Sequence, residues 1–238
     1  MRTAYTVFRN LYNVRKMTMK LVLASGSQRR RELLTMCGYD YEIIVSNADE
    51  TIDENDPESF VRALSFRKAK EVFDRLFAAG RRDFAVIGSD TVVAFQKEGE
   101  TKPVIIGKPK DAEDAVRILS MLSGKTHRVF TGVSVIADIP DENAAAQCSI
   151  REKAEIQTEC SITEVTFETL SPDEITDYVN SGDPLDKAGS YGIQGPFGMF
   201  VREIRGNYFT VIGMPIPVLY KMLKKIGILP HGFYERIE

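Results

Sequence analysis

Asp90 is hard to account for by packing alone. It interrupts FAVIGSDTVVAF, an otherwise apolar run with the look of a strand, and a carboxylate buried there without a partner is costly. Asp90 therefore either sits at a strand end facing a cleft or binds a cation. A second acidic cluster, Asp49, Glu50 and Asp53 of ADETIDE, follows another strand. Carboxylates from two strand ends suit Mg²⁺, which takes oxygen ligands and usually shares them with substrate phosphates. Asp53 and Glu54 read as solvated loop residues. Lys68 lies four residues from both Leu64 and Val72, on the apolar stripe Val61, Leu64, Val72, Leu76 of a helix. It either snorkels to the surface or reaches into a cleft to meet an anion. Lys108 stands on a loop between Gly107 and Pro109.

The matching anion site is SGSQRRRELL, Ser25–Leu34. An apolar strand precedes it and a helix follows, with Ser27 expected as the N-cap. A helix N-terminus carries partial positive charge, so arginines at 29, 30 and 31 are misplaced unless an anion sits among them. Arginine suits that role through its fork of donors. The stretch SGDPLDKAGSYGIQGPFG holds Asp183, Asp186 and Lys187 without hydrophobic periodicity, as expected of a functional loop. Its Gln194, between Gly192 and Gly195, offers both donor and acceptor to a base edge. Two look-alikes fail. SGKT at 123–126 resembles the end of a P-loop, but Leu119 stands where the first glycine is required and a strand follows. The glycines at 189–198 have no strand before them and no helix after, so they are not a dinucleotide fingerprint.

These residues need positioning elements. Strands are expected at 21–25, 41–46 and 84–95, with an antiparallel pair at 126–137 and 156–170. Helices are expected at 28–37, from Pro57 to Ala79, at 111–122 with Asp111 as cap, from Ser171-Pro172-Asp173-Glu174, and from Pro217 to Gly227. Met199–Ile212 reads as a hairpin turning at Arg205-Gly206-Asn207. The polar segments 96–102 and 138–155 read as loop insertions. The pattern is α/β, one domain with two lobes around a cleft.

Composition narrows the partners. The chain has 238 residues and a net charge of −3, which argues against a global grip on nucleic acid. Three scattered cysteines support neither a disulfide framework nor a structural zinc site. The two histidines, His127 and His231, read as structural or solvated. No apolar run is long enough to cross a membrane. The first 20 residues are basic and contain no acid, the composition of either a transit peptide or a plain extension.

In this order, LASGSQRRRELL, ADET, Lys68-Ala69, IGSDTVV, GKPKDAEDAVRILSMLSGKTHRVFTGVSV and SGDPLDKAGSYGIQGPFGMFVREIRGNYFTVIGMP resemble the Maf family over roughly residues 19–225. Its members are nucleoside triphosphate pyrophosphatases, also described as septum-formation inhibitors. The resemblance implies an α/β fold with a mixed twisted central sheet, flanking helices and a deep cleft, similar to inosine triphosphate pyrophosphatase. It implies Mg²⁺- or Mn²⁺-dependent cleavage between the α- and β-phosphates, with Asp90 as proton acceptor and attack on the α-phosphorus. Glu50, Lys68 and Lys108 match metal- and phosphate-handling positions, Glu50 and Asp90 being the metal pair. Ser27, Arg29, Arg30, Thr91, Asp186, Lys187 and Gln194 are the expected substrate-binding set. Arg29, Thr91 and Gln194 match positions linked to base choice and point to dTTP and UTP; glutamate at the Gln194 position accompanies 7-methyl-GTP instead. Gln28 replaces the usual proline of the arginine motif, and Phe66-Arg67 replaces an Arg-Glu pair beside Lys68. The expected organisation is an extension at 1–18, a catalytic domain at 19–229 and a tail at 230–238. A cytoplasmic homodimer binding a nucleoside triphosphate, with neither nucleic acid nor membrane, is implied; mitochondrial residence is the alternative if the extension is a transit peptide. The rival function is a nucleotide-binding regulator of division without turnover.

Overall fold

A computed structural model describes residues 19–139 and 154–231. The elements run β1 (Lys20–Leu23), α1 (Gln28–Met36), β2 (Glu42–Ile43), α2 (Pro57–Ala78), β3 (Phe84–Phe95), β4 (Val104–Ile106), α3 (Ala112–Leu122), β5 (Thr126–Asp138) and β6 (Ala154–Phe167). They continue with α4 (Pro172–Asn180), three 3-10 turns (Asp183–Asp186, Ala188–Ser190, Pro196–Phe200), β7 (Val201–Arg205), α5 (Tyr208–Ile212) and α6 (Ile216–Lys225). The strands form one mixed sheet in the order β2-β1-β3-β5-β6-β7, with β4 also on β3. β1 pairs in parallel with β2 and β3; the other pairings are antiparallel.

β3 organises the molecule. β5 runs along one of its edges from Ala85 to Ala94. The opposite edge is shared: β1 takes Phe84–Ile87 and β4 takes Val93–Phe95. Residues 88–92 have no strand on that side, so the sheet has a gap with Asp90 at its centre. Asp90 is thus not at a strand end, as the sequence allowed, but mid-strand, paired with Gly132 of β5 on one edge and open to the gap on the other. That reconciles an unbroken apolar run with a carboxylate facing a cleft.

Alternation along β3 divides its side chains between two faces. Phe84, Val86, Val92 and Ala94 pack beneath α2 with Val61, Ala69, Val72 and Phe73. Ala85 and Ile87 pack with α1 and α6 through Leu33, Leu34, Leu219 and Leu223. Val93 and Phe95 pack with α3 and α4 through Ile118, Leu119, Ile175 and Val179. Each such fully buried Leu, Val or Phe is worth about 1.5–3 kcal/mol relative to exposure. α2 lies unusually close to the sheet because two glycines permit it. A Cβ on Gly88 would come 2.1 Å from the Ser65 carbonyl oxygen, and one on Gly132 would come 2.1 Å from that of Val61.

The local signals are largely realised. Ser171 and Glu174 form a reciprocal capping box on α4, and Asp111 caps α3 through the Asp114 N–H. Ser27 occupies the N-cap position of α1, but its side chain makes no capping bond. The strand expected at 41–46 is limited to Glu42–Ile43. The hairpin expected at 199–212 is replaced by strand β7 and helix α5. Asn207 accepts a bond from the Phe209 N–H at 2.8 Å, so the turn residue caps a helix, and β7 pairs with β6 instead. Segment 96–102 links β3 to β4. The expected extension at 1–18, most of the 138–155 insertion and most of the tail lie outside the described residues. Among the described residues no helix is long and apolar enough to cross a membrane.

Candidate active site

The gap in the sheet opens into a cleft of about 520 Å³ lined by Ser27, Arg29, Arg30, Glu50, Lys68, Asp90, Thr91, Lys108, Asp186, Lys187 and Gln194. Every site residue expected from the sequence is therefore on one surface. Asp90 and Thr91 are adjacent in β3 and point to opposite faces, so the cleft passes through the sheet and takes residues from both sides.

On the α2 face, Lys68 Nζ lies 2.7 Å from Asp90 Oδ1 and 3.0 Å from Glu50 Oε1. The Lys68 and Asp90 side chains are each only 12% exposed, whereas Glu50 is 65% exposed. Of the two readings of Lys68, the one that reaches into the cleft is observed. Arg67, one residue earlier, ties down the acidic loop by donating to the carbonyls of Asp49 and Thr51 at 2.7 and 2.8 Å. This fixes Glu50 opposite Lys68. Lys108 is exposed and has no ion pair among the described residues. Its loop is held by a bond from the Gly189 N–H to the Gly107 carbonyl at 3.0 Å. Among the described residues no cluster of three or more metal-ligating side chains exists; on this face of the cleft the acidic groups are Glu50 and Asp90.

On the other face the arginines have protein partners. Arg30 Nε donates to the Gly213 carbonyl at 2.8 Å, Nη1 to Ser25 Oγ at 3.1 Å and Nη2 to Thr91 Oγ1 at 3.4 Å. Burial lowers its guanidinium, opposed by the nearby charges of Asp90 and Glu50, but a guanidinium stays protonated in proteins. Arg29 Nη1 pairs with Asp186 Oδ2 at 3.0 Å. Lys187 Nζ contacts Asp186 Oδ1 at 2.7 Å and Asp183 Oδ1 at 3.0 Å. Asp186 thus bridges α1 and the glycine-rich stretch. Partial burial pushes its carboxyl up, but the Lys187 and Arg29 charges outweigh this and hold it below the usual range. Gln194 is exposed on the cleft wall, next to Ile193 and Gly192.

The sequence reading missed several contributors. Ser25, the Gly213 carbonyl and Thr131 anchor Arg30 and Thr91; Thr131 Oγ1 lies 3.0 Å from Thr91 Oγ1. Tyr191 forms part of the wall and shares a 2.8 Å hydrogen bond with His127 Nε2. His127 is buried edge-on against Phe167 and Tyr191, so the structural reading holds for it. Burial pushes its imidazole down to about 3. The pair underpins a strained turn, since Gly189 has φ 74° and Ser190 φ 60°. His231 is exposed and lies 2.5 Å from Asp40.

Comparison with known proteins gives a consistent family. The family model described as Maf-like protein matches residues 20–226. The chain is similar to the dTTP/UTP pyrophosphatase of Agathobacter rectalis, with 41% identity over 217 residues, 88% of this chain and 98% of that protein. It is also similar to the dTTP/UTP pyrophosphatase of Bacillus thuringiensis subsp. konkukian, with 42% identity over 210 residues, 88% and 96% of the two chains. The solved structure of the Staphylococcus aureus Ham1 protein superposes with a TM-score of 0.44 at 15% identity, covering 87% and 98% of the two chains, too slight a likeness to argue from.

Proposed function

This chain belongs to the Maf-like family, and on that premise, together with the cleft, we propose that it is a metal-dependent pyrophosphatase of dTTP and UTP. The reading rests chiefly on one observation: a buried carboxylate, Asp90, held by Lys68 at 2.7 Å, faces a cleft that also presents Arg29, Lys108 and Gln194. A pure binding site has no use for a positioned carboxylate beside a cluster of cations. Residues 19–229 are taken as the catalytic unit.

Asp90 and Glu50, on either side of Lys68, fit a divalent cation of the Mg²⁺ type, which is commonly held by one or two carboxylates with water and substrate phosphates filling the rest. When bound, the cation supplies charge to the phosphates and acidity to a water. Asp90 accepts the proton of the water that attacks the α-phosphorus. Lys68 and Lys108 neutralise the charge that develops on the leaving pyrophosphate. Ser27, Arg30 and Lys187 line the phosphate path. Arg30 is tethered to Gly213 and Thr91, so it contributes a fixed charge instead of a mobile clamp. Arg29, Thr91 and Gln194 form the base-reading wall, with the Gln194 amide matching the paired carbonyl and N–H of uracil and thymine.

The test is turnover of UTP, dTTP, CTP, GTP, 7-methyl-GTP and ATP with Mg²⁺, assaying pyrophosphate separately from orthophosphate. Pyrophosphate from UTP and dTTP in clear preference to the others, abolished by chelation and restored by Mg²⁺ or Mn²⁺, is expected. Orthophosphate as the product would contradict the reaction, and equal turnover of all bases would contradict the role of Gln194.

A further inference from the structure

A second hollow, about 670 Å³, opens from the same gap in the sheet and shares Glu50, Asp90, Thr91 and Lys108 with the first. It lies on the α2 face, where Asp90 and Lys68 project. Its lining is mixed: Phe60, Pro103, Val104 and Ile105 form an apolar side with the buried Leu64 and Val92 beneath, and Glu54 and Asn55 add a polar side. Lys102 and Lys108 stand at its rim. The nucleoside's place in the proposed reaction is the other hollow, beside Gln194. The leaving side of the scissile bond therefore points toward Lys108 and this second space.

Bare pyrophosphate does not match such walls. It is small, highly charged and gains nothing from Phe60, Leu64 or Val104. The volume falls within the range of small-molecule pockets, and an apolar side of Phe60, Pro103, Val104 and Ile105 facing the hydrogen-bonding groups of Glu54 and Asn55 suits a hydroxylated or nitrogenous ring. We propose that the second hollow accepts a ring carried on the far side of the scissile anhydride. The enzyme would then also cleave uridine or thymidine polyphosphates capped by a sugar or a second nucleoside, a proposal that rests on the base-side assignment above. The chemistry is unchanged. Water oxygen bonds to the α-phosphorus, the bond from that phosphorus to the bridging oxygen breaks, and the proton passes to Asp90. A uridine diphosphate sugar gives UMP and the sugar phosphate. Diuridine tetraphosphate gives UMP and UTP. Lys102 supplies counter-charge for the longer chain.

The experiment measures UMP release by the full-length protein with Mg²⁺ from UTP, UDP-glucose and P1,P4-di(uridine 5′) tetraphosphate. The expected result is that at least one capped substrate is cleaved with kcat/KM within about tenfold of UTP, the better one revealing whether a sugar or a nucleoside fits. Val104→Trp, which fills the hollow, should lower capped-substrate turnover at least tenfold and leave UTP within twofold. Phe60→Leu should raise KM for the capped substrate alone. Cleavage of UTP with neither capped compound turned over overturns this inference and leaves the primary reaction standing. Failure to cleave UTP overturns the primary reading itself. Equal loss on UTP and capped substrate in both variants also overturns the inference.

Discussion

Asp90 and Lys68, to which the proposed reaction gives its central roles, are both residues that break a pattern. Each interrupts an apolar periodicity, and the two meet at 2.7 Å. That breakage made them legible in the sequence. The anchors of Arg30 were not legible: a backbone carbonyl such as that of Gly213 has no residue-type signature, and Ser25 resembles any turn serine. Asp90→Asn keeps the shape and one acceptor oxygen but removes the base. Turnover should fall by about 10²–10⁴-fold, the usual worth of general base catalysis. The fold should survive, as checked by circular dichroism. Near-wild-type turnover would contradict the assignment. His127 makes a separate prediction. Its folded value, about 3, lies below the ordinary value of about 6.5. Between these limits the unfolded chain binds a proton that the folded chain does not, so stability falls as pH drops. The slope contributed is about 1.4 kcal/mol per pH unit. Urea unfolding at pH 7, 6 and 5 should show this slope in wild type and its loss in His127→Gln; an unchanged slope in the variant would contradict the burial argument.

At the scale of elements, caps and apolar stripes were readable because they are local. Pro57, Asp111 and the Ser171–Glu174 box mark helix starts found where expected. The Met199–Ile212 hairpin was misread because Gly206-Asn207 serves equally as a hairpin turn and as a helix entry. Which one forms is settled by pairing of β7 with β6, a long-range contact. The placement of α2 has the same origin. Nothing local says that Gly88 and Gly132 lie beneath a helix, yet that contact sets the distance from Lys68 to Asp90. In Gly132→Ala the added carbon would meet Val61 backbone atoms at 2.1 and 2.5 Å. α2 must lift, at a cost of about 1–3 kcal/mol as for other overpacked cores. Activity should fall by at least tenfold with little change in nucleotide affinity, since the wall proposed to read the base is on the other face. A matched measurement of kcat and KM for UTP checks this; a pure KM effect would contradict it.

For the whole molecule, the decisive feature is a single gap. β1 and β4 both pair with the edge of β3 that β5 leaves open, and the space between them becomes the cleft. The alternating strand and helix signals indicated an α/β fold. They did not show that one strand would be shared by two short neighbours, because that depends on where the chain returns after α2 and after the 96–102 loop. The gap explains why residues from both sides of a sheet, Asp90 and Thr91 among them, line one cleft. It also implies a direction for the reaction, with the base on one face and the leaving phosphates on the other. The most direct measurement of that claim is hydrolysis of UTP with Mg²⁺ in ¹⁸O-labelled water, followed by mass spectrometry of both products. Label in UMP with unlabelled pyrophosphate is the predicted result. Label in the pyrophosphate, or formation of UDP, would contradict attack at the α-phosphorus beside Asp90.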